Sequence, residues 1–340
     1  MQRLILQRLL MMVPLMVGMT LISFVVSHTL PADPVGANLG QRSMEDPQIV
    51  AAFRAQWGLD KPLPQQYLTY LGNLLQGNMG MSIRTHMQVA DDLGRYLPAS
   101  AELAIAATLV GTLLGIPFGV ASAVRRNQWL DHVLRAVSLL GVSSPVFWLG
   151  LVALYVFYFR LGWLPGPGRL DVGMPEPPHL TGMYTFDSLV AGDWPALSSS
   201  LRHLILPGLV LASVYLGLVT RMTRSSMLEV LSADYVRTAR GKGLKARSVV
   251  YRHALGNALI PTITVLGLAF GDVLAGTVLT ETIFSWPGIG RYAYESAVTL
   301  DFPAIMGVSL VIAAVFITVN LATDIAYVML DPRLRRLSRA

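Results

Sequence analysis

The chain has 340 residues, of which 53% are hydrophobic and only 14% charged, with a mean hydropathy of +0.53. That balance excludes an ordinary soluble domain. Cys is absent, which excludes a disulfide framework, a thiolate metal site and a Cys nucleophile. The net charge of +6 has to be read by location, and the basic residues gather beside apolar runs, so no nucleic-acid partner is expected.

In chain order, residues 1–8 carry Arg3 and Arg8, and residues 9–30 contain no Asp, Glu, Lys or Arg. That run exceeds the roughly 20 residues a bilayer core requires. A cleavable signal peptide is disfavoured because the run is too long and no small-residue cleavage site precedes Pro31. Residues 1–30 are therefore expected to form an N-terminal segment and first span. Residues 31–100 are polar and punctuated by Pro and Gly. There Ile49, Val50, Phe53 and Trp57 mark one short amphipathic helix, and Tyr67, Tyr70, Leu71 and Leu74 mark another, within a folded outer loop.

A second span is expected over 103–124, closed by Arg125 and Arg126, and a third over 136–159. Pro145, following Gly141, Ser143 and Ser144, predicts a kink in the third. The kink reads equally as a pore-lining bend and as helix packing by small residues. Residues 160–201 form a second outer loop in which Pro165, Pro167, Pro175, Pro177 and Pro178 exclude long helices. Its acidic residues Asp171, Glu176, Asp187 and Asp193 read as a solvated surface, with attraction for a peptide amino end or a cation as the alternative. No His/Asp/Glu cluster has metal-ligand spacing, so no metal is expected.

The fourth span covers 203–220, with Pro207 near its start and Arg221 and Arg224 at its exit. Ser226 and Glu229 have capping-box spacing, and a continuous helix fits equally. The fifth span, 259–280, contains Asp272, an ionisable group at membrane depth and hence a functional candidate. It would line an aqueous route or pair with a neighbouring subunit. Glu281, beside the turn W-P-G-I-G, reads as a structural anchor. A sixth span covers 302–330. The fold class is thus an all-α polytopic membrane protein with six transmembrane helices, a cytoplasmic loop and two sizeable outer loops. An even span count puts both termini on one side. The segments on that side hold 17 of the 26 Lys and Arg, which makes it the cytoplasm.

Between the fourth and fifth spans, Arg237, Arg240, Lys242, Lys245, Arg247 and Arg252 fall within sixteen residues. Residues 234–240 suit a short helix, with Ser232 as N-cap and Arg240 near the negative end of the dipole. Tyr235, Val236 and Ala239 share one side of it, and Arg237 and Arg240 another. Gly241 and Gly243 supply the left-handed or close-approach geometry that ends it. A short amphipathic helix with a sharp stop reads as a docking element; contact with anionic lipid is the alternative.

These residues resemble the coupling loop of ABC importer permeases, whose consensus is Glu-Ala-Ala, three residues, Gly, nine residues, then Ile-x-Leu-Pro. Arg237-Thr238-Ala239, Gly243 and His253-Ala254-Leu255-Gly256 take those places, and Ala239, Gly243 and Leu255 match outright. The peptide and nickel branch is more similar, its loops reading D-Y-x-R-T-A-R-x-K-G as residues 234–243 do. ETIFSWPGIG at 281–290, LDPR at 330–333 and LDKP at 59–62 also resemble that branch, in particular its dipeptide permease B type. The resemblance implies a permease core over 101–340 with a coupling loop at 225–258. It further implies residues 31–100 as part of the rim that receives a binding protein. Tyr235, Arg237, Thr238, Ala239, Arg240 and Gly243 would carry the coupling to an ATPase. The implied partners are a second homologous permease, two ATP-binding subunits, an extracytoplasmic substrate-binding protein and membrane lipid, in a bacterial or archaeal inner membrane. ATP and magnesium would sit on the partner subunits, with no cofactor on this chain.

Catalytic motifs are missing: there is no G-x-x-x-x-G-K-[ST] phosphate loop, G-x-S-x-G elbow or H-E-x-x-H pair. The chain is therefore expected to be no enzyme but the pore-forming subunit of an importer of dipeptides or short peptides. Nickel and glutathione are alternatives within the family. An ion-coupled carrier or a channel is the alternative from another class. A carrier would usually show repeated halves and several midplane charges, where this chain offers Asp272 and, as a candidate bend in the path, Pro145.

Overall fold

The computed structural model describes residues 2–29, 46–56 and 60–330. Among them the regular structure is helical, and the only pairing of extended backbone is a bridge between Met81 and Gln88. The helices are α1 (Gln2–Thr29), α2 (Pro47–Gln56), α3 (Leu63–Leu75), α4 (Val89–Val124), α5 (Trp129–Ser143), α6 (Val146–Ala153) and α7 (Tyr184–Ala191). They continue with α8 (Trp194–Leu231), α9 (Asp234–Gly241), α10 (Leu255–Gly276), α11 (Val278–Ile283), α12 (Ile289–Val298) and α13 (Phe302–Leu330). A π-helical turn, Leu154–Arg160, continues α6, while Ala246–Ser248 and π-helical Val249–Ala254 lead into α10. Long apolar runs favour this outcome because a helix satisfies every backbone polar group within the segment, as hydrocarbon requires.

Among the described residues, four helices are long and apolar enough to cross a membrane: α4, α8, the run Ala246–Gly271 and the Phe302–Ile325 part of α13. α5 and α6 add a fifth if a pair bent by 102° is one span, and in α1 the apolar stretch is the shorter Leu10–Val26. Four of the six expected crossings thus fall on helices of membrane length, and a count of six rests further on the broken pair and the shorter stretch of α1.

Several boundaries differ from the sequence reading. α4 begins at Val89, so the first outer loop ends well before residue 100, and Pro98 lies inside the helix. The kink at Pro145 is a complete break: Ser144 is extended (ψ 134°) and Pro145 stands at the N-cap of α6. Proline lacks an N–H and disfavours helical geometry in the residue before it, which accounts for both. α8 runs unbroken through Ser226 and Glu229, so the capping-box reading falls and the continuous helix stands. α10 stops at Gly276, short of residue 280. The two amphipathic helices of the first outer loop are α2 and α3, with Trp57 and Leu59 outside the described residues, as are the terminal DPR and its arginines.

α8 is the central helix: 67% of its apolar window is buried, against 29–39% for the other three long helices. Its tightest neighbour is α4. A Cβ on Gly111, Gly115 or Gly119 would lie 2.5, 2.8 or 2.6 Å from the Cβ of Tyr215, Val219 or Thr223, so a row of three glycines lets the two backbones meet. Both series rise together, so α4 and α8 run parallel. α10 runs antiparallel to α8, since the Tyr215 hydroxyl donates to Ala269 O (2.7 Å) while Thr223 meets Thr262 (3.3 Å). α5 is also antiparallel to α8, with Gly217 against Ser138 and Val142, and Arg224 against Asp131. At the periphery α1 meets α13 through Ser23 and Ser309 (3.1 Å), and α3 lies on α1 through Tyr67, 3.1 Å from Thr20.

Candidate functional site

α9 follows the end of α8 after two residues. Ser232, expected to cap α9, instead closes α8: its hydroxyl donates to Glu229 O at 2.7 Å, and Ala233 occupies the N-cap of α9 without a side-chain bond. The chain turns there because Ser232 N and Ala233 N bond back to Glu229 O and Val230 O, which ends the long helix one turn before the next begins.

Val236 (0% exposed) and Ala239 (7%) are buried against Val249, with Val230 and Leu231 of α8 beside them. This apolar pin fixes α9 to the last turn of α8 and to the entry of α10. Tyr235 shares its side but is half-exposed, and its hydroxyl accepts from Asn257 Nδ2 at 2.8 Å, a further tie to α10. The polar face is free: Arg237, Thr238 and Arg240 are exposed. Arg237 pairs with exposed Asp234 only at 3.5 Å, a surface contact of small energetic value. Thr238 Oγ1 donates to Asp234 O at 2.9 Å.

Gly243 ends the helix. Its φ is +77°, its N–H donates to Arg240 O at 2.9 Å, and Leu244 N reaches Ala239 O at 3.4 Å, the wrapping pattern of a helix stop in which glycine avoids the Cβ penalty. Gly241 has no such conformation; it completes α9. Lys242, Lys245, Arg247 and Arg252 are all exposed, so the segment 234–252 carries six basic residues and one acid, Asp234. His253 lies in the π-helical turn, and Gly256 has open space around it.

The six residues expected to act together are therefore gathered on one helix and its stop. The two pathway candidates are elsewhere. Pro145 is exposed at the α5–α6 break, and Asp272 is in α10, its side chain outside the described residues. No group of three or more His, Cys, Asp or Glu among the described residues is arranged to hold a metal ion.

Other charged residues prove to be internal supports. Glu281 is fully buried and accepts from Ser100 Oγ (2.6 Å), Thr277 Oγ1 (2.6 Å) and Arg291 N (2.8 Å). Gly288 and Gly290 lie against its carboxylate, and Trp286 donates from its indole to Ala99 O at 2.8 Å. The W-P-G-I-G turn is thus wound round a buried anion, as the anchor reading of Glu281 required. In the second outer loop, Arg169 pairs with buried Glu102 at 2.5 Å and stacks 3.6 Å from the ring of Tyr184. Burial pushes the Tyr184 hydroxyl up to about 12, helped by its hydrogen bond with Glu176. Asp187 and Asp193 are not a solvated surface. Asp187 is buried and accepts from Thr181 and Gly182, and Asp193 caps α8 by accepting from Ala196 N at 3.0 Å. Glu102 and Asp131 were not singled out from sequence; the available signal was an acid directly flanking an apolar run.

The bundle of membrane-length helices with a basic helical loop between two of them defines a polytopic transport component. The family model for the binding-protein-dependent transport system inner membrane component matches residues 115–336, and the N-terminal model of such membrane components matches residues 1–104. The chain belongs to this family. Among curated relatives, it is 48% identical to a probable D,D-dipeptide transport system permease protein of Escherichia coli K12, covering 94% of this chain and 93% of that one. It is 42% identical to a dipeptide transport system permease protein of Alkalihalophilus pseudofirmus, with 97% and 98% covered. It is 45% identical to a di/tripeptide transport system permease protein of Pseudomonas aeruginosa, with 97% of each covered. Its fold is similar to a chain of the inward-facing MetNI methionine ABC transporter, with a TM-score of 0.52 at 14% identity, covering 70% of this chain and 96% of that chain.

Proposed function

We propose that this chain is the pore-forming subunit of an ATP-driven importer of dipeptides or short peptides, with α9 seated in a groove of an ATPase subunit. The dipeptide and di/tripeptide transport permeases among its relatives support the substrate class. One observation carries the coupling role: α9 is pinned by Val236 and Ala239 to the end of the central helix while Arg237, Thr238 and Arg240 on its other face are exposed. In this reading both termini are cytoplasmic and six spans cross the inner membrane. The chain pairs with a homologous permease, two ATP-binding subunits and an extracytoplasmic binding protein. It hydrolyses no ATP, having no phosphate loop; ATP and magnesium belong to the partners.

Closure of the ATPase pair would move α9, and the pin would pass that movement to α8 and α10. The helices would then exchange outward- and inward-open arrangements, a rigid-body change biased by a ligand. Asp272 and the Pro145 break are the candidates for the wall of the path.

The test is uptake by proteoliposomes holding the complete complex, with copurification of the ATPase subunits. A Cβ at position 243 meets nothing within 4 Å, so Gly243→Ala strains only the backbone, whereas Gly243→Asp also projects an anion into the docking face. Gly243→Asp is expected to abolish uptake through a coupling loss of about 1–3 kcal/mol. Gly243→Ala should impair it, and Lys245→Gln with Arg247→Gln should be milder. A loop that only contacts anionic lipid would give the reverse ranking, and that result would sink the coupling role.

A further inference from the structure

A cleft of about 440 Å³ lies between α5 and α8 on the side of the bundle that carries α9, and the coupling role makes no use of it. Its two ends differ. Toward α9 it is lined by Arg135, Arg221, Arg224 and Ser225, and away from α9 by Leu139 and Val142. The antiparallel register fixes this polarity: Arg224 meets Asp131 at the start of α5, while Gly217, two turns deeper, meets Ser138 and Val142.

The charges do not cancel. Asp131 is fully buried and accepts from Ser122 and from Arg224 Nε (2.8 Å) and Nη2 (2.9 Å), with Arg135 Nε at 3.4 Å. That carboxylate offsets one of three guanidinium groups. Arg135 is otherwise bonded to His132 Nδ1 at 2.8 Å, and Arg221 forms no ion pair among the described residues. Two positive charges are left at the mouth. Below them the wall is apolar and open: Leu139 is 63% exposed. Trp129, 71% exposed in the first turn of α5, is the residue type that settles at the membrane–water boundary, which puts the arginines just beneath headgroup level.

We infer that this cleft is a binding site for one anionic phospholipid, with its phosphodiester held by Arg135 and Arg221 and an acyl chain lying along Leu139 and Val142. A free phosphate would satisfy the arginines but leave the apolar wall uncovered. A protein helix would cover the wall but bury a net charge of two guanidinium groups beyond what Asp131 offsets, unless it brought matching acids. The lipid fits both halves. The site depends on the chain spanning a membrane and not on what is transported.

The experiment uses the full-length protein isolated in mild detergent with the subunits that accompany it, stripped of lipid and titrated with phosphatidylglycerol or phosphatidylcholine. Native mass spectrometry counts the lipids retained. One phosphatidylglycerol per chain is expected, bound more tightly than phosphatidylcholine. A basic residue near an anionic surface contributes about fivefold in affinity, so Arg135→Gln with Arg221→Gln should weaken retention about thirtyfold. Leu139→Trp, which fills the apolar end and leaves every charge in place, should also reduce retention. Equal binding of the two lipids, or undiminished phosphatidylglycerol binding in the double variant, would overturn the site. Displacement by inorganic phosphate would assign the arginines to a free anion instead. Efficient cross-linking of Leu139→Cys to an accompanying subunit would show a protein occupant and also end the proposal.

Discussion

Asp187 shows how a single side chain can hold a proline-rich loop in place. Burial raises its pKa, but hydrogen bonds from the Thr181 hydroxyl and from the backbone of Thr181 and Gly182 outweigh that, and the net shift is below the ordinary 3.8. A carboxyl with a depressed folded pKa stabilises the fold above its unfolded value, and that contribution is lost as pH falls through 3.8 toward the lower folded value. Amide exchange over residues 180–187, corrected for intrinsic rates, should therefore accelerate between pH 4.5 and pH 3, values bracketing about one unit around the ordinary carboxylate pKa. Asp187→Asn retains one acceptor but turns an amide donor toward donor groups. Its loop should exchange faster at neutral pH and show no added acid response. An identical pH response in the two proteins would remove Asp187 from this role. Glu281 is the harder case to read in advance: its sequence context announced an anchor, yet Ser100, which it binds, lies 181 residues away.

At the scale of elements, the α4–α8 seam limits what the core tolerates. A Cβ on Gly115 would stand 2.8 Å from both Cβ and Cγ1 of Val219, far inside contact distance. Gly115→Val should force the helices apart at a cost of about 1–3 kcal/mol, typical of overpacking. Adding Val219→Ala should recover part of the loss, and thermal unfolding of the purified protein measures both. No recovery in the double variant would mean that the seam is not where the strain falls. The spacing Gly111, Gly115, Gly119 is visible in the sequence as a packing motif, but spacing names no partner, and which helix it meets emerges only from the assembled bundle. α9 was legible almost to the residue, because its apolar side and its glycine stop are local signals. Its N-cap was not, because Ser232 is claimed by the end of α8. The helices α4 and α8 extend beyond the expected spans, from Val89 and to Leu231, since a charge count detects the hydrocarbon boundary and a helix continues past it. The break at Pro145 was foreseeable in place but not in size, as a proline prescribes local geometry while the 102° bend is set by what α5 and α6 pack against.

For the whole molecule, helix directions decide the topology. α8, with 38 residues, is about 57 Å long, more than the 40–45 Å of a bilayer with its headgroups, so its Asp193 cap and α9 lie on opposite sides. α4 is parallel to α8, which places Ala90, exposed in the first turn of α4, on the side away from α9. α5 starts beside the α9 end of α8, while Arg169, beyond α6, is held by Glu102 in the half of α4 away from α9. The broken pair thus leads from the α9 end of the bundle to the opposite end despite its bend. Two single-cysteine proteins test this, and the parent chain has no Cys to give a background signal. A membrane-impermeant maleimide should label Ala90→Cys in intact cells and leave Lys242→Cys unlabelled, with the reverse in inverted vesicles. Labelling of both from one side would contradict the helix directions. Labelling from opposite sides but with the pattern exchanged would preserve the fold and overturn the cytoplasmic placement of α9, and with it the docking of this helix on an ATPase.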